Sequence, residues 1–199
     1  MKRINIALLI GLIVTFTYFV FEDSYNDVSK LQDSVLRLHI LANSDLEYDQ
    51  RLKLEIRDAI LEEFSDVLNS ENSIEAQKTV LDNLDLLSHT AKRVINEHGY
   101  DYSVNTALER IEFDERVYGD ITMPAGTYDA LRIEIGQAKG KNWWCVIFPS
   151  MCLSDSVCIS DAEEYFSDDE IIILKKPQKI EYKFKCFELF KRVGRFFRQ

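Results

Sequence analysis

Residues 140–149 read Gly-Lys-Asn-Trp-Trp-Cys-Val-Ile-Phe-Pro and hold both tryptophans of the chain in its most apolar run outside the N-terminus. The Gly and Asn at the front suit a tight turn, and the large and β-branched residues that follow suit a buried strand, which Pro149 ends because proline donates no ladder hydrogen bond. The pattern predicts a central strand over residues 143–148. Residues 128–135 alternate in polarity, and the link 136–142 has the length and composition of a hairpin loop, so we expect these two strands to pair.

A further strand is predicted at residues 35–41, where polar Arg37 and His39 alternate with leucine and isoleucine. Because neighbouring side chains of a strand point to opposite faces, we expect Arg37 and His39 to be exposed on the face away from the core. The turn that follows contains Asn43 and Asp45, residue types that favour turns and helix caps.

Apolar residues recur at spacings of three and four in two later segments, which predicts one helix over residues 52–67 and another over residues 73–98 with Ser73 as its N-cap. The first helix carries charged residues, Lys53 among them, on its outer side. Residues 103–113 predict a strand, and residues 171–174 and 179–185 suit edge strands. The expected class is α+β, with a mostly antiparallel sheet, two long amphipathic helices on one face and a single hydrophobic segment in front.

The N-terminus has the pattern of an export segment. Lys2 and Arg3 precede residues 4–21, which carry no charge, and Glu22 and Asp23 follow at once. This order keeps the positive flank in the cytoplasm and sends the rest of the chain across the membrane. The run lacks the small residues of a cleavage site and is just long enough to span a bilayer, so a cleaved signal peptide and an uncleaved anchor both stay open. A buried core helix is the alternative.

Charge is distributed unevenly along the chain, and this distribution helps to define its segments. The net charge is −10, but residues 175–199 carry nine Lys or Arg and two Glu, which leaves −17 on the first 174 residues. The acidic bulk argues against a nucleic-acid partner. We expect a signal peptide or signal anchor at 1–23, a linker at 24–34, a globular α+β domain at 35–174, and a basic amphipathic extension at 175–199 that packs on the domain. Binding of that extension to an anionic membrane is the alternative.

The cysteines give no metal signature. They are Cys145, Cys152, Cys158 and Cys186, and no two of them form a CxxC pair. We therefore predict no metal and no other cofactor. In a chain outside the cytoplasm disulfides become available, and the pairing of Cys145 with Cys152 and of Cys158 with Cys186 is one of three complete sets between which the sequence does not choose.

Catalytic motifs are missing from the sequence. His39, Ser44 and Asp45 lie within seven residues, whereas the members of a catalytic triad converge from distant segments. Residues 136–142 lack the spacing and the final Ser or Thr of a phosphate-binding loop, and a strand-like run follows them where a helix is required. We predict no catalytic residue and no small-molecule substrate.

Several separated blocks of the sequence are similar to one known family. The blocks are residues 35–45, 52–60, 117–119, 123–133 and 140–149. Over residues 33–153 the chain resembles the stage II sporulation protein R family. The resemblance implies a non-enzymatic signalling protein of endospore-forming bacteria that is exported from the forespore into the intermembrane space. There it triggers a membrane-embedded aspartic protease of the mother cell, which cleaves the precursor of an early sigma factor.

A partner-binding surface is expected near the strand at 35–41 and the two loops beyond it. Its candidate residues are Arg37, His39, Asn43, Asp45, Lys141, Asn142, Trp143 and Trp144. The two tryptophans should point to opposite faces, so one enters the core and the other is either covered by the C-terminal helix or exposed as a binding anchor. Two alternatives stay open: an exported hydrolase of cell wall or peptides that uses His39 and Asp45, and a structural protein of the envelope.

Overall fold

The computed structural model describes residues 2–64, 70–152, 163 and 165–175, and within the first helix the side chains of 4–6, 8–17 and 27–33. The described helices are α1 (Lys2–Asp33), α2 (Glu47–Glu63), α3 (Ser73–Asp82), α4 (Leu84–Glu97) and α5 (Asp168–Lys175). The described strands are β1 (Leu36–Leu41), β2 (Val104–Phe113), β3 (Arg116–Tyr118), β4 (Ile121–Met123), β5 (Gly126–Ile135) and β6 (Asn142–Phe148). The α+β class is therefore confirmed.

The main sheet is mixed, with the order β2-β5-β1-β6, and β3 pairs with β4 in a separate ribbon. β1 runs parallel to β5 and antiparallel to β6, so Leu38 lies between Leu131 and Cys145. The predicted pairing of β5 with β6 is wrong because β1 lies between them, and β6 is an edge strand instead of the central one. Two of the three strand pairs are antiparallel, but the pair at the centre is parallel.

One face of the sheet packs against α2, α3 and α4, and we call it the helical face. Leu38 and Ile40 of β1 meet Ile56 of α2 there, and all three are completely buried. The second predicted helix is divided into α3 and α4 at Asn83, whose side chain donates to the carbonyl of Thr79 at 2.7 Å. Such bonds between an Asn side chain and the backbone compete with helix continuation. The N-cap of α3 is Asn72, one residue before the predicted cap.

The opposite face, here the second face, is also covered along part of its length. The end of α1 contributes Leu31, the β3–β4 ribbon contributes Ile121 and Met123, and α5 contributes Leu174, and all four are buried. The prediction that Arg37 and His39 are exposed is wrong for this reason. They are 0% and 5% exposed. The sheet is thus a middle layer between two hydrophobic cores.

Two elements differ from expectation at the ends of the chain. Residues 171–174, predicted as an edge strand, belong to α5, whose first turn carries Asp168, Asp169 and Glu170 and so complements the helix dipole. The expected linker at 24–34 forms the last part of α1 down to Asp33, which pairs with Arg110 at 2.7 Å.

Some predictions fall on residues that the structure does not describe, namely those for residues 179–185, the C-terminal helix, Cys158 and Cys186. Within the described part of the chain, no helix is both long enough and apolar enough to cross a membrane.

A disulfide joins Cys145 of β6 to Cys152, seven residues later. Loop-closure entropy predicts that such a bond stabilises the fold by about 2.5 kcal/mol. We expect Cys152→Ala to lower the free energy of unfolding by about that amount in urea titrations of the full chain. As a control, dithiothreitol should destabilise the unmodified chain and leave the variant unchanged. An unmodified chain that is insensitive to the reductant contradicts this prediction.

Candidate partner-binding site

Two loops are joined at one edge of the main sheet, here called the loop end: residues 42–46 after β1 and residues 136–141 after β5. They meet because parallel strands have their carboxyl ends at the same edge of a sheet. The N–H of Gln137 donates to Oδ1 of Asn43 at 3.0 Å, and the N–H of Lys141 donates to Oδ1 of Asp45 at 2.7 Å. The structure thus brings together three of the candidate residues, Asn43, Asp45 and Lys141.

Gly140 makes this close approach of the loops possible. Its N–H donates to the carbonyl of Ala42 at 2.9 Å. A Cβ atom at position 140 would collide with the backbone of Ser44, so a glycine is required where the loops touch. Gly140, which suggested a hairpin turn in the sequence, is therefore needed for the contact between the two loops.

Asp49, which sequence reasoning missed, lies beneath the loop end. It is 1% exposed, and its Oδ2 accepts from Asn43 Nδ2 at 2.9 Å and from Ser44 Oγ at 2.5 Å. The carboxylate stands in the first turn of α2, where the helix dipole favours negative charge. The sequence signal was the acidic first turn directly after an Asn-Ser pair.

Lys53, one turn further along α2, joins the same network. The helical pattern placed it on the outer side, but it is 4% exposed. Its Nζ donates to Gln50 Oε1 at 2.7 Å and to the carbonyl of Lys141 at 2.9 Å. Burial lowers the pKa of Lys53, against the attraction of Asp45. A buried ammonium thus ties α2 to the second loop.

On the second face, His39 and Trp144 form a stacked pair beside the loop end. Their ring centroids are 3.6 Å apart with an angle of 10° between the planes, and Trp144 is partly exposed. Burial lowers the pKa of His39 to about 4, the Arg132 cation acts in the same direction, and Asn142 and Glu134 oppose the shift. The imidazole is therefore neutral at neutral pH.

The two tryptophans lie on opposite faces, as predicted. Trp143 packs against the core of the helical face, and the Arg57 guanidinium lies 4.2 Å from the centre of one of its rings. Arg37 is on the second face with His39 but under the β3–β4 ribbon, where its Nη2 donates to the Tyr118 hydroxyl at 2.8 Å. Arg37 and Trp143 are thus separated from the other candidates.

The hydrolytic trio does not come together. Ser44 Oγ is bonded to Asp49, Asp45 is bonded to the backbone of Lys141, and His39 faces the other side of the sheet. Among the residues that the structure describes, no three His, Cys, Asp or Glu side chains form a group that could hold a metal ion. What the loop end presents is a set of fixed polar groups beside a partly exposed tryptophan, which is suited to recognition of another molecule.

A small cleft lies beside the first turns of α2. Its volume is about 190 Å³, and it is lined by Tyr48, Arg51, Leu52, Glu55, His98 and Tyr100. Tyr48 and Tyr100 stack with their centroids 5.7 Å apart, and His98 Nε2 contacts the Glu55 carboxylate. The cleft adds aromatic surface next to the loop end.

Protonation of His39 should couple stability to pH. An unfolded histidine titrates near pH 6.5, whereas folding lowers the pKa of His39 to about 4. Between these values the unfolded chain binds more protons, so the free energy of unfolding should fall as the pH drops from about 6.5 towards 4. His39→Phe, which keeps a ring against Trp144, should flatten this slope in urea titrations across the window. An unchanged slope in His39→Phe contradicts the assignment.

Comparison with known proteins identifies the chain's relatives. The family model of stage II sporulation protein R matches residues 32–158. The chain is also similar to stage II sporulation protein R of Bacillus subtilis (strain 168), with 37% identity over 135 residues, which are 67% of this chain and 60% of that protein. No solved structure matches the chain. The family model covers more than half of the chain, and we conclude that the chain belongs to the stage II sporulation protein R family.

Proposed function

We propose that this chain is an exported signal that activates a membrane-bound aspartic protease, which then processes the precursor of an early mother-cell sigma factor. Membership of the family supports a role in sporulation. The observation that carries the finer proposal is the loop end beside Trp144, where Asp49 holds Asn43 and the backbone N–H of Lys141 donates to Asp45. Such a surface suits binding to another protein.

Activation requires only that the signal bind the active state of the protease more tightly than the inactive state. A difference of about 1.4 kcal/mol between the two states changes their ratio tenfold. The fixed loops favour this because a surface that is ordered before binding loses little conformational entropy on binding. The network under the loop end, with Asp49 and Lys53 buried, provides that order.

Export to the space between the two cells is part of the proposal. The uncharged run at residues 4–21 between a basic and an acidic flank supports it, and many of its isoleucines and leucines are exposed on α1. The Cys145–Cys152 disulfide also fits, since disulfides persist mainly outside the reducing cytosol. Residues 4–21 act as a signal peptide or stay as the membrane anchor.

Binding can be tested with the tagged full chain and the protease in membranes. We expect the full chain to retain the protease on an affinity resin, and Lys141→Glu to weaken retention about tenfold by reversing a charge at the loop end. Lys78→Glu on α3 is the matched control, since both lysines are exposed and Lys78 lies away from the loop end. No retention of the protease by the unmodified chain would make the proposal wrong.

A further inference from the structure

Arg37 carries a buried positive charge that has no ion-pair partner among the described residues. Among the described residues it is the largest fully buried side chain, with 0% exposure. One of its N–H groups is bonded to the Tyr118 hydroxyl, but Nε and Nη1 have no hydrogen-bond partner among the described residues, and no described carboxylate pairs with it. A buried charge is normally paired and fully hydrogen-bonded, so the missing partner requires an explanation.

The surroundings of Arg37 supply only partial compensation. Its guanidinium carbon lies 3.9 Å from the centre of the Phe113 ring and 4.9 Å from that of Tyr128. Aromatic faces attract a cation, but more weakly than a carboxylate does at this depth. Burial lowers the pKa of Arg37, Tyr118 and Tyr128 oppose this, and the Arg116 cation lowers it further. The described side chains that interact electrostatically with Arg37 are therefore aromatic or cationic.

The cover over Arg37 is a small element that is separate from the main sheet. β3 and β4 have three residues each and pair with one another only, around a turn in which Gly119 has a φ of 54°. Tyr118 makes the hydrogen bond of this ribbon to Arg37, and Ile121 and Met123 hold it by apolar contacts. Displacement of the ribbon would cost the Tyr118 bond and the apolar contacts of Ile121 and Met123, but no strand pair of the four-stranded sheet.

We propose that Arg37 is a carboxylate-binding site, filled when an Asp or Glu side chain of the partner enters beneath the β3–β4 ribbon. This inference rests on the proposed function, because the protease is the partner that would supply the side chain. A carboxylate is small and planar and accepts from a guanidinium in its plane, so one of its oxygens could accept from the free Nε or the free Nη1 group beside the Phe113 and Tyr128 rings. The bound carboxylate neutralises the buried charge and so favours the complex.

The site itself is tested without the protease. The midpoint of thermal unfolding of the full chain is measured in sodium acetate and in sodium chloride of equal ionic strength, with sodium phosphate as a third arm. We expect acetate to raise the midpoint above the chloride value, phosphate to add nothing beyond chloride, and Arg37→Met to abolish the acetate effect. An equal midpoint in acetate and chloride, or an acetate effect that persists in Arg37→Met, overturns the proposal, as does a larger effect of phosphate.

Two further variants separate the site from the fold. Arg37→Met should be at least as stable as the unmodified chain in chloride, because it removes an unpaired buried charge. Tyr118→Phe removes the hydroxyl that holds the ribbon to Arg37 and should increase the response to acetate. This second variant decides the matter if Arg37→Met does not fold, since an increased acetate response supports the site and an unchanged or lost response overturns it.

Use of the site by the protease is tested by activation in membranes. Arg37→Met should lower activation about tenfold, whereas Arg110→Met, which removes only a surface pair with Asp33, should leave it unchanged. Full activation by a folded Arg37→Met chain overturns the role in partner binding. If the unmodified chain also fails to activate, the proposed function is wrong, and the acetate measurement still decides whether the carboxylate site exists.

Discussion

Replacement of Leu38 by alanine is expected to lower the free energy of unfolding by about 4 kcal/mol. Leu38 is completely buried at the centre of the sheet, between Leu131 of β5 and Cys145 of β6. The loss combines the transfer energy of the removed carbons with the cavity that remains. Urea titration of the full chain measures it.

Leu81→Ala is the matched control for this prediction, because Leu81 on α3 is 54% exposed. The control should change stability by less than about 0.5 kcal/mol. A loss below about 1 kcal/mol in Leu38→Ala would mean that β1 is not the central strand of the sheet.

Replacement of Asp49 by alanine should lower the free energy of unfolding by about 3 kcal/mol. The change removes a buried carboxylate that accepts two hydrogen bonds and leaves the side chains of Asn43 and Ser44 without their acceptor. Because Asn43 also holds the second loop through Gln137, we expect the loop end to loosen and activation of the protease to fall as well.

The control for Asp49 stands in the same helical turn. Glu47 is exposed, so Glu47→Ala should alter stability by less than about 0.5 kcal/mol and leave activation unchanged. If Asp49→Ala kept full stability and full activation, the network under the loop end would have no role in either property.

Alternation and helical spacing located most elements of the fold. The predicted strands at 35–41, 103–113, 128–135 and 143–148 agree with β1, β2, β5 and β6 within a few residues. Their order could not be obtained in the same way, because pairing depends on where the connecting loops pack. Residues 136–142 have the composition of a hairpin loop, yet Gly140 docks on the loop after β1 and leaves room for β1 between β5 and β6.

The exposure of polar residues was harder to predict than the strands. Arg37 and His39 have the spacing of a solvent-facing side of a strand, but α1, α5 and the β3–β4 ribbon cover part of that face. Their cover comes from segments distant in sequence, which no local pattern reveals. Lys53 and Asp49 were missed for a related reason, since each is buried by a hydrogen-bond network between loops and not by apolar spacing.

The functional interpretation came from several separated sequence blocks and not from any single motif. The resemblance they indicated over residues 33–153 is confirmed by the family match over residues 32–158. Of the candidate residues, Asn43, Asp45 and Lys141 meet at the loop end, and His39, Asn142 and Trp144 lie beside it. The resemblance supplied the kind of partner, and the geometry supplies a surface on which to test it.

The central claim is that this chain activates a membrane-bound aspartic protease. The most direct measurement is the rate at which the protease, held in membranes, cleaves the sigma-factor precursor with and without the full chain added from outside. We predict that the chain raises the rate at least about tenfold, which corresponds to a shift of about 1.4 kcal/mol between inactive and active states. Equal cleavage rates with and without the chain would contradict the claim.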